Sequence, residues 1–420
     1  MAMTGEIQKS FDELIRNVPR MFLVQIVEKK LSKAGVRPSK KLVNKLADAV
    51  MAGSSDSIHW DGDESNSDVV ITFTEDDVKA VGDAAHKFLN DEMPNLVGDL
   101  TRRTARSVLK TLKQNWPEQH EWELQTHLAF AKRLEIRWGE GLNLLRMLLT
   151  VSRELGLDTY NKWRHSRTKK NRHRSDVLLR LHARACQVTG EIVTLIESGY
   201  ADGAMARWRT LHEISVVATL IADNDNELAH RYIAHDFVGS KRSLSAYLRT
   251  HANLGYKPPA QREVNRVERH YSLVLRQFGR AMKNENGWAA ELLRKDDPSF
   301  ADLEAAAGKS RIRAHYKMAC QSVHAGVKGI TNQLGVLPGH PAIIAGASNA
   351  GLDEPGQNTA ITLTQVTFTL LGPRWQLDDL VAMSVLADLQ SQAVNGFVRA
   401  GRRLRREEST RRRKGKKKKK

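Results

Sequence analysis

Residues 206–213 read ARWRTLHE and bring two arginines, a histidine and a glutamate within eight positions. Acid–base chemistry is assembled from such groups. An imidazole or carboxylate takes and returns a proton near neutral pH, and a guanidinium holds the negative charge that develops. At about 100° per residue, Arg209, His212 and Glu213 share one helix face, and Arg209 and Glu213 stand four apart, where they can pair. The next residues, ISVVATLIA, are apolar almost all round, as a buried helix is. The group therefore belongs at the inner edge of a helical bundle, where unpaired charge is expensive. The spacing predicts a paired and largely buried Arg209–Glu213. A polar knot that fixes helix register and a working site both fit this pattern.

Two further segments offer partners. His230, Arg231, His235 and Asp236 lie in ELAHRYIAHD, with Arg231 and His235 on one face. In RIRAHYKMACQSVHAGVKGITNQ, Tyr316, Cys320 and His324 form one stripe at four-residue spacing, with His315 and Ser322 nearby. Three helices that each offer a histidine beside polar groups point to one shared pocket. The candidate catalytic residues are Arg207, Arg209, His212, Glu213, His235 and His324. The bundle helices hold a single Glu-x-x-His, Glu227 to His230, where the di-metal type needs two together with further glutamates. GxSxG, GxxxxGK[ST] and a dinucleotide fingerprint are missing too, so neither a metal nor a cofactor is expected. DGDESNSD departs from a calcium loop at its sixth and twelfth positions and reads as a solvated turn.

The elements that position these residues follow from periodicity. The expected fold is all-α, a helical bundle with a helical N-terminal region, one short β-like insertion and a disordered basic tail. Residues 1–53 read as a helical segment and 54–77 as an acidic loop leading into the strand-like VVITFT. Thr74 is expected to cap the next helix. Residues 78–160 read as a helical N-terminal domain in which Gly156 ends a helix, and 161–174 as a basic linker. Residues 175–401 form the bundle that carries RWRTLHE, with helices near 175–198, 202–222, 226–248, 260–284, 310–334, 359–371 and 376–406. Gly199 closes the first of these.

The net charge of +18 is concentrated in two places. Residues 402–420 hold thirteen Lys/Arg and two Glu, and residues 162–174 hold seven Lys/Arg and no acid, so the remainder is neutral. The nucleic-acid-binding candidates are accordingly Arg164, Arg167, Lys169, Lys170 and Arg172 of the linker and Arg411, Arg412, Arg413 and Lys414 of the tail. The tail has no apolar residue after Leu404 and is expected to be disordered from residue 402. Two well-separated cysteines, Cys186 and Cys320, and a start without a basic region before an apolar run point to the cytoplasm. No apolar stretch is long enough to span a bilayer.

Two resemblances add to this reading. GYADGAMARWRTLHEISVVATLIADNDNELAHRYIAHD and the later YKMACQSVHAG are similar to the signature blocks of a bacterial family of unknown function, over roughly residues 175–400. That likeness implies an all-helical domain with these polar residues in common. The Arg207-x4-His212 spacing resembles the motif of HEPN-type ribonucleases, helical and usually dimeric enzymes that cut RNA without metal. It implies His212 as general acid or base, Arg207 stabilising the phosphorane, and a homodimer. The segment departs from that pattern in having Trp208 after the arginine and about 140° between Arg207 and His212 on a regular helix. The expectation is a cytoplasmic bacterial defence or stress effector that acts on RNA. The alternative is a non-catalytic helical module that binds a protein partner and is tethered to nucleic acid by its basic tail.

Overall fold

A computed structural model describes residues 5–35, 39–53, 57–60, 69–166, 171–324, 326–337, 343–371 and 376–417. Apart from one two-stranded hairpin, the regular structure among these residues is helical, so the fold is all-α. None of these helices is long and apolar enough to cross a membrane. Two compact units divide between Glu123 and Leu124.

In the first unit, α1 (Glu6–Lys33) presents Leu23, Val27 and Leu31, four apart on one face, to Val43, Leu46 and Ala47 of α2 (Lys40–Met51). Strands β1 (Ser57–Trp60) and β2 (Val69–Thr72) pair antiparallel with Ile58 opposite Ile71, and Ile71 joins that core. The strand-like VVIT thus has SIHW as its partner, while the DGDESNSD turn between them lies outside the described residues. Thr74 caps α3 (Glu75–Lys87) as expected, and Asp77 returns a bond to the Thr74 backbone N–H at 2.8 Å. A π-helical turn at Phe88–Glu92 leads into α4 (Met93–His165), which begins in this unit and ends in the second. Residue 78 lies inside α3 and residue 161 inside α4, and the compact units divide at neither.

The second unit uses the later part of α4, where Leu134, Trp138, Leu142, Leu145 and Leu148 recur at three and four and are buried. Gly156 does not end this helix. It lies where the His182 ring of α5 (Arg172–Glu197) packs, and a Cβ there would stand 2.7 Å from two ring atoms. Gly199, with φ +78°, does close α5, and the Tyr200 N–H reaches the Leu195 carbonyl at 2.8 Å. Helix α6 (Ala201–Asp223) carries the opening motif. The expected helix over 226–248 breaks at His235 into α7 (Asn226–Ala234) and α8 (Asp236–Thr250). Beyond α9 (Gln261–Phe278) come the short helices α10 (Ala290–Leu293) and α11 (Phe300–Ala306), the latter packed against α6. The expected 310–334 helix is two pieces, α12 (Arg313–Gln321) and α13 (Val327–Thr331).

Helix α14 (Asp353–Leu371) packs against both α5 and α6. Its buried Thr359, Thr364 and Thr367 return their hydroxyls to carbonyls four residues earlier, so a polar stripe enters the core with its donors satisfied. Helix α15 (Leu377–Lys417) buries Phe397 against Trp138. It continues well past residue 402, where disorder was expected. Arg403 reaches the Ile136 and Arg137 carbonyls, Arg405 pairs with Asp353 at 2.8 Å, and Glu407 pairs with Arg137 at 2.8 Å. Composition predicts disorder because the segment has little to bury, but these ion pairs hold its first turns on the bundle.

Candidate functional site

Helix α6 turns Trp208 inward, and the indole N–H reaches Thr362 Oγ1 at 3.0 Å and the Asn358 carbonyl at 3.1 Å on α14. That anchor sets the rotation of the motif. One turn on, His212 is fully buried, and its Nε2–H donates to Glu304 Oε1 of α11 at 2.8 Å. Glu304 is equally buried and uses its other oxygen to pair with Arg313 at the start of α12. Burial lowers the His212 pKa more strongly than Glu304 raises it, so the imidazole stays neutral. Its Nδ1 is buried with no partner.

A second cluster stands beside it. Glu213 Oε1 accepts from the Tyr316 hydroxyl of α12 at 2.7 Å and forms an ion pair with Arg209, 3.0 Å from its Nε. Arg209 Nε also donates to that hydroxyl at 3.3 Å, and the guanidinium lies 5.6 Å from the ring centroid. The predicted pair is therefore present, but half-buried, because its side chains keep 28% and 34% of their exposure. Burial pushes the Tyr316 pKa up, and the hydrogen bond to Glu213 adds to that, so the phenol keeps its proton. Both contacts to Glu213 use Oε1, and both arginine contacts use Nε. Among the described residues, Oε2 and the two terminal guanidinium nitrogens make no further hydrogen bond or ion pair.

These three residues form the floor of a cleft of about 730 Å³, within the usual range for small-molecule and cofactor sites. Trp288, Phe300 and His235 line its wall, and Glu285 and Asp297 stand exposed at its mouth with no ion-pair partner among the described residues. His235 donates Nε2–H to the Asn284 carbonyl at 2.8 Å, and burial lowers its pKa. Among the described residues, no group of three or more His, Cys, Asp or Glu is placed to hold a metal ion.

The other candidates scatter. Arg207 points to α5, where it pairs with Glu191 at 2.5 Å, and it does not line the cleft. The Arg207–His212 constellation implied by the ribonuclease motif is therefore not assembled. His324 is exposed beyond the end of α12, so the Tyr316–Cys320–His324 stripe does not continue to it. Arg164 and Arg172 are exposed at the facing ends of α4 and α5, while Arg167, Lys169 and Lys170 lie outside the described residues. Arg411 and Lys414 are exposed on the last turns of α15, and of Arg412 and Arg413 only the helical backbone is described. The residues that sequence reasoning missed are Glu304, Arg313, Glu285, Trp288, Asp297 and Phe300. Ser299 and Asp302 form a capping box at the start of α11. That signal could have located the helix, though not its partner.

Fold and cleft define an all-α protein with a two-layered polar site between α6, α11 and α12. Residues 175–340, within the second unit, match the model of a family of unknown function (DUF5677). Both signature helices lie inside the match; α14 and α15, which complete the core around them, lie outside it. Comparison with curated proteins and with solved structures gave no match.

Proposed function

We propose that residues 175–340 carry out side-chain acid–base chemistry on single-stranded RNA within a cytoplasmic defence or stress effector, with Glu213 as the base and Arg209 as the phosphate-binding cation. The observation that carries this reading is the fixed Glu213 carboxylate on the cleft floor, with one oxygen held by Tyr316 and Arg209 and the other open. Glu213 takes the proton of a 2′-hydroxyl, whose oxygen attacks phosphorus. The P–O5′ bond breaks, the 5′ oxygen takes a proton from water at the open mouth, and a cyclic 2′,3′-phosphate forms. The Arg209 terminal nitrogens hold the charge gathering on the phosphorane. Phe300, partly exposed, offers a ring for stacking a base, and Glu285 and Asp297 accept from base amino groups. In this scheme His212 and Glu304 only support Tyr316, whose ring lies 5.4 Å from the imidazole.

The test is cleavage of a mixed-sequence RNA single strand by the full chain and by Glu213→Gln. The glutamine keeps the acceptor for Tyr316 and loses the base and a half-exposed ion pair of small worth, so cleavage falls about 10²–10⁴-fold while the melting temperature changes little. Equal cleavage by the two proteins overturns the assignment. The non-catalytic reading rests on a different observation, the unpaired carboxylates at the mouth, which repel a polyanion. It expects no cleavage by either protein and RNA retention through the basic end of α15.

A further inference from the structure

We infer that residues 101–123 of α4 are an interface between two copies of this chain, paired antiparallel. Among the described residues almost every side chain along this stretch of α4 is exposed, with Leu109 at 52%, Leu112 at 49% and Trp116 at 53%. A bare helix in water is held only by its own backbone bonds and propensities, and Pro117 in its interior removes one of those bonds. Trp122, 62% exposed, lies off to one side, but Leu109, Leu112 and Trp116 share one face. Arg102, Ala105, Leu109, Leu112, Trp116, Gln119 and Glu123 follow one another at alternating steps of three and four, the spacing of a coiled-coil seam. The leucines and Trp116 sit in the middle of that seam.

Charge identifies the occupant. Residues 101–113 hold Arg102, Arg103, Arg106, Lys110 and Lys113 and no acid; residues 114–123 hold Glu118, Glu121 and Glu123 and no Lys or Arg. An interface between identical copies related by a two-fold axis uses the same surface on both. Antiparallel, it sets the basic half of each helix against the acidic half of the other, across a shared apolar centre. Parallel, it sets like charge on like. Local contacts such as Arg102 with Asp99 and Gln119 with Glu123 are exposed and worth little in water. The surface involves none of the cleft residues, and the inference stands without the reading of that cleft.

The mass of the full chain in solution, followed by light scattering over micromolar concentrations, tests this. The wild type is expected to be dimeric. Leu109→Glu with Leu112→Glu should weaken the dimer by at least about a hundredfold without loss of far-UV helix signal. Two charge variants guard against a folding artefact, because they alter only exposed positions: Arg102, Arg103 and Arg106 to Glu in one, and Glu118, Glu121 and Glu123 to Lys in the other. Each alone should fall to monomer, and an equimolar mixture should dimerise. A monomeric wild type overturns the inference, as does a seam variant that dimerises like the wild type. Charge variants that dimerise alone as well as the wild type overturn the antiparallel arrangement.

Discussion

Two polar clusters within one turn of α6 use similar residue types to opposite ends. His212, Glu304 and Arg313 are closed in, with both His212 and Glu304 without exposed surface. Arg209, Glu213 and Tyr316 stand next to them on the floor of an open cleft. His212 and Glu213 are neighbours in the chain, and helix geometry places them on one broad face. What separates them is coverage: α11 sets Glu304 over the imidazole and leaves the Glu213 carboxylate open. A buried knot lends rigidity to the helices it joins, and a half-buried one can meet a substrate. Adjacent positions in a motif therefore do not share a role because they share a motif.

The largest effect that separates the clusters is on stability. Glu304→Ala leaves a buried imidazole N–H without its acceptor and Arg313 without its carboxylate. Removing one partner of a buried pair costs about 3–5 kcal/mol. Glu213→Ala removes a half-buried pair and one phenol acceptor, for about 1 kcal/mol. Calorimetry of the two variants should show a large fall in melting temperature for Glu304→Ala alone. Equal falls would erase the distinction between knot and site.

A second buried histidine sharpens the contrast. His182 is 3% exposed and, unlike His212, pairs with no carboxylate among the described residues. Its Nε2 lies 3.3 Å from Thr367 Oγ1, its ring 3.8 Å from Cys186 Sγ, and Arg153 lines the same cavity. Burial lowers its pKa from 6.5 to about 4. The folded chain keeps this ring neutral, whereas the unfolded chain takes a proton once the pH drops below 6.5. Its contribution is therefore complete above pH 6.5 and lost as the pH falls towards about 4, by roughly 3 kcal/mol at most. Urea unfolding at neutral and at acid pH should show a steeper loss for wild type than for His182→Gln. Parallel losses would mean that water reaches the ring.

Much of the fold was legible, and the reasons are local. The Arg209–Glu213 pair follows from four-residue spacing, the Thr74 cap from Thr-x-x-Asp, and the end of α5 from Gly199. The bundle helices show in their apolar periodicity. The buried half of the site was not legible, because Glu304 sits 92 residues from His212 in FADLEAA, where nothing local marks it as covered. The stretch from 285 to 309 has short helices and no strong period, yet it supplies the wall and mouth of the cleft. The start of the tail failed for the converse reason. Its composition says disorder, but Asp353, Arg137 and two carbonyls of α4 wait for it on the bundle.

The smallest expected effect tests the comparison most directly, because it concerns the residue that spacing placed at the centre of the chemistry. Arg207 is held by Glu191 of α5 and by Thr210 Oγ1 at 3.4 Å, on a part of α6 that does not line the cleft. Its side chain retains 30% of its exposure, so losing the ion pair costs no more than about 1 kcal/mol. Its Nε is buried without a partner and is removed with the side chain, so no orphaned donor is left by the truncation. Arg207→Ala should therefore melt within a few degrees of the wild type and keep its RNA cleavage, while Glu213→Gln loses cleavage with little change in melting temperature. The ribonuclease motif makes the reverse forecast, since there the arginine stabilises the phosphorane and its loss costs as much as loss of the base. If Arg207→Ala abolishes cleavage without a change in melting temperature, the chemistry lies on the α5 side of α6, and the cleft at Glu213 is not where it happens.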